Sequence, residues 1–157
     1  RAHSNDGGGN YGSDMLLVEL QDPSNTLPTY GVYLAGWDRG NFTASNTYGI
    51  HHPAGDIKKI TNANGGTGST SWGQLTGQTN PIAGTHWGLS WSTTTNAPNG
   101  GDTEGGSSGS ALFNSSGLII GSLTGGGSVA CPSGGDNSYY GKMFYHWDQN
   151  GTTANRR

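Results

Sequence analysis

Thirty of the 157 residues are glycine, and no window of the chain spaces its apolar residues at the helical period. Glycine inside a helix costs about 1 kcal/mol relative to alanine. A chain this rich in it builds turns and short strands, not long helices. The glycines follow no G-X-Y repeat, which excludes a collagen triple helix. Glycine, serine, threonine and asparagine fill about half the chain, a bias shared with disordered segments. Five Trp, seven Tyr and three Phe argue against disorder, because a chain with that much aromatic surface can bury it. No 18-residue apolar run exists, so no helical membrane span is expected. The net charge of −3 speaks against a nucleic-acid backbone as partner. The reading is a loop-rich β protein, one domain or part of one.

Local patterns divide the chain into short strands. Met15–Leu20, Tyr30–Trp37, Tyr48–His52 and Asp56–Ile60 are apolar or alternating runs bounded by turn residues. Asn62–Ser71 is polar and reads as a loop. His86–Trp91 alternates, with Trp87, Leu89 and Trp91 on one face, and is the clearest strand signal. Thr93–Gly109 reads as a long loop. Ala111–Phe113 and Leu118–Leu123 flank a turn and form a hairpin, and Lys142–Trp147 is the last strand. About eight short strands predict a β-sandwich or barrel.

The segment Glu104-Gly105-Gly106-Ser107-Ser108-Gly109-Ser110 carries the most chemistry. A serine between glycines sits on a tight turn where a carbonyl can approach. The amides of Gly106 and Ser108 can converge there on a developing oxyanion. A flexible Gly/Ser loop is the plain alternative.

This loop, the hairpin after it, and Leu118 to Gly126 resemble the second barrel of trypsin-like serine proteases. Gly31–Arg39, Ile50–Ile60, Thr103–Ser110 and Tyr139–Lys142 together resemble the lysyl endopeptidases, secreted bacterial proteases that cleave after lysine. The resemblance runs from about residue 12 to the end. It implies an all-β, trypsin-like antiparallel barrel. Residues 1–36 would close the N-terminal barrel and link it on, and residues 37–157 would form the C-terminal barrel. It implies Ser108 as nucleophile, Gly106 and Ser108 as oxyanion donors, and Asp14 as the acid that orients the catalytic histidine. Leu123, Thr124 and Gly125 match the strand edge that pairs with substrate. No cofactor and no metal are implied.

The family's catalytic histidine has no counterpart. Only His3 precedes Asp14, in no matching motif, while His51, His52, His86 and His146 fall outside the triad. A serine without its base is a poor nucleophile. The chain is therefore expected to need a partner, an N-terminal segment carrying the histidine. Cys131, the single cysteine, sits where the family bonds a cysteine near the mature N-terminus, so a disulfide to that segment is expected. Arg1 and Asn155-Arg156-Arg157 read as cut points, and the resemblance implies that the family continues past the C-terminal one into a short helix. Secretion and a peptide or protein substrate follow from the resemblance.

Three positions depart from the family. Its specificity Asp is replaced by Ser138, while Asp102, six residues before Ser108, stands where trypsin has its own pocket Asp. A basic preference, Lys or Arg, would survive, with Asp136 a weaker candidate; a solvated Asp102 is the alternative. Thr124 replaces a usual histidine. Ser107 replaces trypsin's Asp and cannot pair with a new N-terminus. Trp72 and Trp87 are groove or core residues. The competing functions are a non-catalytic β binding module, for instance for polysaccharide, and a pseudoprotease that binds peptides.

Overall fold

Trp87, Leu89 and Trp91 alternate with Gly88 and Ser90, and that alternation sets the core. β6 (His86–Ser90) buries Trp87 and Leu89, and Trp91 follows on the same face. Ala63, Leu112, Ile120, Leu123 and Tyr140 complete one apolar cluster. The Trp91 indole stands edge-on to Tyr140 at 6.1 Å, the favoured geometry for two ring quadrupoles. The computed structural model describes residues 2–3, 11–21, 24, 26–92, 101–127 and 137–148. Cys131 and Asp136, and the first eight residues of the loop that begins at Thr93, lie outside the described residues.

The strands form two sheets. β1 (Ala2–His3) pairs with β2 (Leu16–Leu17). The main sheet is antiparallel, in the order β4-β3-β7-β8-β9-β6-β5. Its strands are β3 (Thr47–His51), β4 (Lys59–Ala63), β5 (Gly68–Thr70), β6, β7 (Ala111–Asn114), β8 (Ile119–Gly126) and β9 (Asn137–Lys142). The all-β expectation holds, with one difference: no ladder joins β4 to β5, so the sheet is not closed by strand pairing. It is strongly curled all the same. Seven flat strands would set the edges roughly 29 Å apart. The chain goes from the end of β4 to the start of β5, Ala63 to Gly68, a reach of at most about 18 Å. A backbone bond from Ser92 N–H to Asn62 O, 2.9 Å, crosses that seam.

Several expected elements differ. The run Lys142–Trp147 is not a strand: β9 ends at Lys142, and α2 (Met143–Asp148) follows at once. A short apolar run does not distinguish strand from buried helix, and the helix buries Tyr145 and His146. A short helix therefore closes the described part of the chain. Residues 137 and 138, read only as part of a motif, pair with β8 and β6. Tyr30–Trp37 forms no ladder. Leu27–Tyr30 is a 3-10 turn, and only Trp37 bridges, to Ile119. Its aromatic and branched residues favour a strand only where a pairing edge exists. Met15–Leu20 shrinks to β2, and the strand expected at Asp56–Ile60 shifts to Lys59–Ala63. β5 and the single-turn α1 (Trp72–Leu75) arise in and after a segment read as loop.

Lys142 is buried, and among the described residues no carboxylate pairs with it. Its Nζ donates to Asn41 Oδ1 at 3.0 Å and Ser69 Oγ at 2.7 Å, and lies 3.9 Å from the Trp87 ring centroid. The ring face and two neutral acceptors stand in for an anion, and burial lowers the ammonium pKa.

Candidate active site

The loop before β7 is folded by two successive turns. Ser107 N–H donates to Glu104 O at 2.9 Å, and Ser110 N–H to Ser107 O at 3.1 Å. Both turns need glycine. Gly106 has φ 99° and Gly109 φ 79°, where a side chain is strained. A Cβ on Gly106 would also press on His52 O at 3.1 Å. Gly109 N–H donates to Leu123 O at 2.8 Å and ties the loop to β8. Ser108 is exposed at the apex. Among the described residues, no acceptor pairs with the N–H of Gly106 or of Ser108, while Ser107 and Gly109 are bonded.

Ser108 lines a cavity of about 170 Å³ with Thr103, Glu104, Gly105, Leu123, Gly125 and Gly126 among its walls. β7 starts at Ala111, so beyond Leu123 one edge of β8 has no partner strand among the described residues. Trp72 is half-buried and belongs to the groove. Its ring lies over Gly125, where a Cβ would approach it to 2.8 Å, and 5.6 Å from the Tyr139 ring. Trp87 belongs to the core and donates its indole N–H to Ile120 O.

The two specificity candidates meet through Thr103. Asp102 is buried, and its Oδ1 accepts the Thr103 N–H at 2.7 Å. The Thr103 and Ser138 hydroxyls lie 2.7 Å apart, and Trp91 Nε1–H donates to Ser138 Oγ at 2.8 Å. Gly126 separates Ser138 from the cavity: a Cβ there would sit 3.1 Å from Ser138 Oγ. Asp102 is thus not a solvated loop residue. Burial raises the Tyr140 pKa, the Ser110 hydroxyl opposes the rise, and the Asp102 charge adds to it.

The family described as lysyl endopeptidase, C-terminal domain, matches residues 3–141. The chain belongs to this family. Membership in a serine-protease family makes the exposed serine, its amides and its cavity one candidate site.

In this lysyl endopeptidase domain Asp14 is exposed at φ 54°. The preceding residue, Ser13, is buried, and its carbonyl accepts from His146 Nε2 at 3.0 Å. No described histidine bonds to Ser108. His52 Nδ1 bonds Asp56 O at 3.0 Å, and His86 and His51 are engaged elsewhere. His51 was missed as a site neighbour: its Nδ1 lies 2.8 Å from Ser107 Oγ. The period-two burial of β3, with Thr47, Gly49 and His51 inward, carried the signal.

His86 reaches Thr124 on β8. Its Nδ1 accepts the Trp72 N–H at 3.4 Å and faces the Thr85 hydroxyl at 2.8 Å. The proton is assigned to Nε2, which donates to Thr124 Oγ1 at 2.9 Å. Thr124, where the family usually has histidine, thus receives an imidazole from β6. Burial, then the charges of His146 and Lys142, lower the His86 pKa from 6.5 to about 4. A depressed base stabilises the fold while neutral. Stability should be flat above pH 6.5 and fall by about 3 kcal/mol on acidification toward pH 4, because the unfolded chain binds the proton first. His51, lowered by burial and then by His52, adds in the same direction. Urea midpoints across that range should fall less steeply in His86→Gln; identical slopes would remove His86 from this role.

Proposed function

We propose that this domain is the serine-bearing part of an endopeptidase that cleaves after lysine or arginine through an acyl-enzyme. The observation that carries the reading is the exposed Ser108 with the Gly106 and Ser108 amides, which have no acceptor among the described residues, on the wall of a cavity beside a strand edge unpaired among those residues. The substrate adds as a strand along Leu123, Thr124 and Gly125. Its basic side chain enters the cavity toward Asp102, Thr103 and Ser138. Ser108 Oγ attacks the scissile carbonyl and passes its proton to an imidazole. The oxyanion is held by the N–H groups of Gly106 and Ser108. The C–N bond breaks as the imidazolium protonates the leaving amine, and water then hydrolyses the ester by the same path.

That imidazole comes from an N-terminal segment outside this sequence, with Asp14 orienting it. Support for such a partner is the exposure of Leu16, Leu17, Val18 and Leu20, which follow Asp14 closely in the chain, and of Tyr33 and Leu34, apolar side chains that a covering segment would bury. Cys131 is its proposed covalent tether, which places the mature protein in an oxidising, secretory setting. A second reading, a peptide-binding pseudoprotease, draws on the lack of any described histidine bonded to Ser108. A fluorophosphonate probe separates the two. In the assembled protein it should label Ser108, and the domain alone should label at least about 100-fold more slowly. Silence of the assembled protein at every pH would favour the pseudoprotease.

A further inference from the structure

Ser107 and His51 are both almost fully buried, at 1% and 2% exposure, and meet across 56 residues of chain at 2.8 Å. A second tie lies beside the first: Ala54 N–H donates to Gly105 O at 2.8 Å. The corner 51–54 therefore grips the turn 104–107 from behind, by a side chain at one point and by backbone at another. Ser107 Oγ also accepts the Glu104 N–H at 3.2 Å, so this hydroxyl sits at the centre of the turn that delivers Ser108. A hydroxyl forms no ion pair, and the turn is held by neutral hydrogen bonds alone.

The other imidazole nitrogen is informative. His51 Nε2 is buried and has no hydrogen-bond partner among the described residues. Leaving a buried polar atom unmatched is costly. For stability alone an apolar ring would suit the slot better. The imidazole has one bond to justify its place, and that bond goes to Ser107. We infer that His51 is a positioning residue of the oxyanion site: through Ser107 it holds the 104–108 turn in the form that aims the Gly106 and Ser108 amides at a single point. This rests on the reading of Ser108 as nucleophile and names the residue that sets up its oxyanion site. Misplacing a donor by about 1 Å is enough to cost on the order of 100-fold in rate.

The test uses the complete enzyme, with its histidine-bearing partner. Ser107→Ala and His51→Phe should each lower kcat roughly 10- to 100-fold, with KM changed less than about twofold, because the amides act on the transition state. His51→Asn, whose amide falls near the position of Nδ1, should restore most of the loss. The double variant should be no worse than either single one. A peptide boronate, which mimics the tetrahedral adduct, should lose affinity by the same factor as kcat. Benzamidine, which fills only the basic pocket, should not. Unchanged kcat in Ser107→Ala would overturn the inference, and so would equal losses for boronate and benzamidine. If His51→Phe does not fold, Ser107→Ala removes one oxygen atom and carries the test. If wild-type enzyme takes neither boronate nor fluorophosphonate, the nucleophile reading itself falls. Normal labelling with indifferent variants removes only His51 from its role.

Discussion

Replacing Ser108 by alanine in the assembled protein should lower kcat/KM on a lysyl amide by roughly 10⁴-fold or more, while benzamidine binding stays within about twofold. The two halves of that expectation separate chemistry from fold. Ser108 is exposed at the apex of its turn, so losing the hydroxyl opens no cavity and leaves no buried group unmatched. The turn is built by Ser107, Ser110 and Gly109, whose bonds do not use the Ser108 side chain. Stability should therefore be unchanged within about 0.5 kcal/mol. Activity has no such reserve, because the other hydroxyl residue of the cavity wall, Thr103, has its oxygen engaged with Ser138 Oγ at 2.7 Å. Steady-state kinetics with active-site titration decides it. Retention of more than about 1% of wild-type kcat/KM would move the nucleophile elsewhere.

The second large effect concerns Asp102, the carboxylate proposed to receive the basic side chain. Asp102→Ser should lower kcat/KM on lysyl and arginyl substrates on the order of 1000-fold, and change neutral substrates little. Asp102 is buried, and a carboxylate there is worth most to a desolvated cation. Its neighbour Thr103 touches Ser138, the position where the family keeps its acid. Moving the charge back should therefore rescue: Asp102→Ser with Ser138→Asp should recover basic-substrate activity and shift preference toward lysine. Two outcomes would count against the pocket assignment. One is unchanged kinetics in Asp102→Ser; the other is equal loss on neutral substrates, which would mark Asp102 as a structural residue.

Much of this site was legible in the sequence. Gly106 and Gly109 announced tight turns around Ser108, and both adopt backbone angles that glycine favours. The alternation in 86–91 announced a half-buried strand, and its three large residues do share the core. What was misread was misread for local reasons. Met143–Trp147 is apolar apart from His146, and so short a run has no period to distinguish helix from strand. Tyr30–Leu34 is rich in strand-forming residues, yet a strand needs an edge to pair with. Asn137 and Ser138 look like turn residues and become strand because β8 and β6 offer bonds on both sides.

Short-range order, then, was written in neighbouring residues: which turns require glycine, which face of a strand is apolar, and where a serine can stand exposed. Hydrogen bonds and burial between distant positions were decided only when the sheet curled. The pairs His51 with Ser107, His86 with Thr124 and Thr103 with Ser138 are separated by 56, 38 and 35 residues. No periodicity reports such pairs, because each depends on strand order and register, properties of the assembled sheet that no segment holds alone.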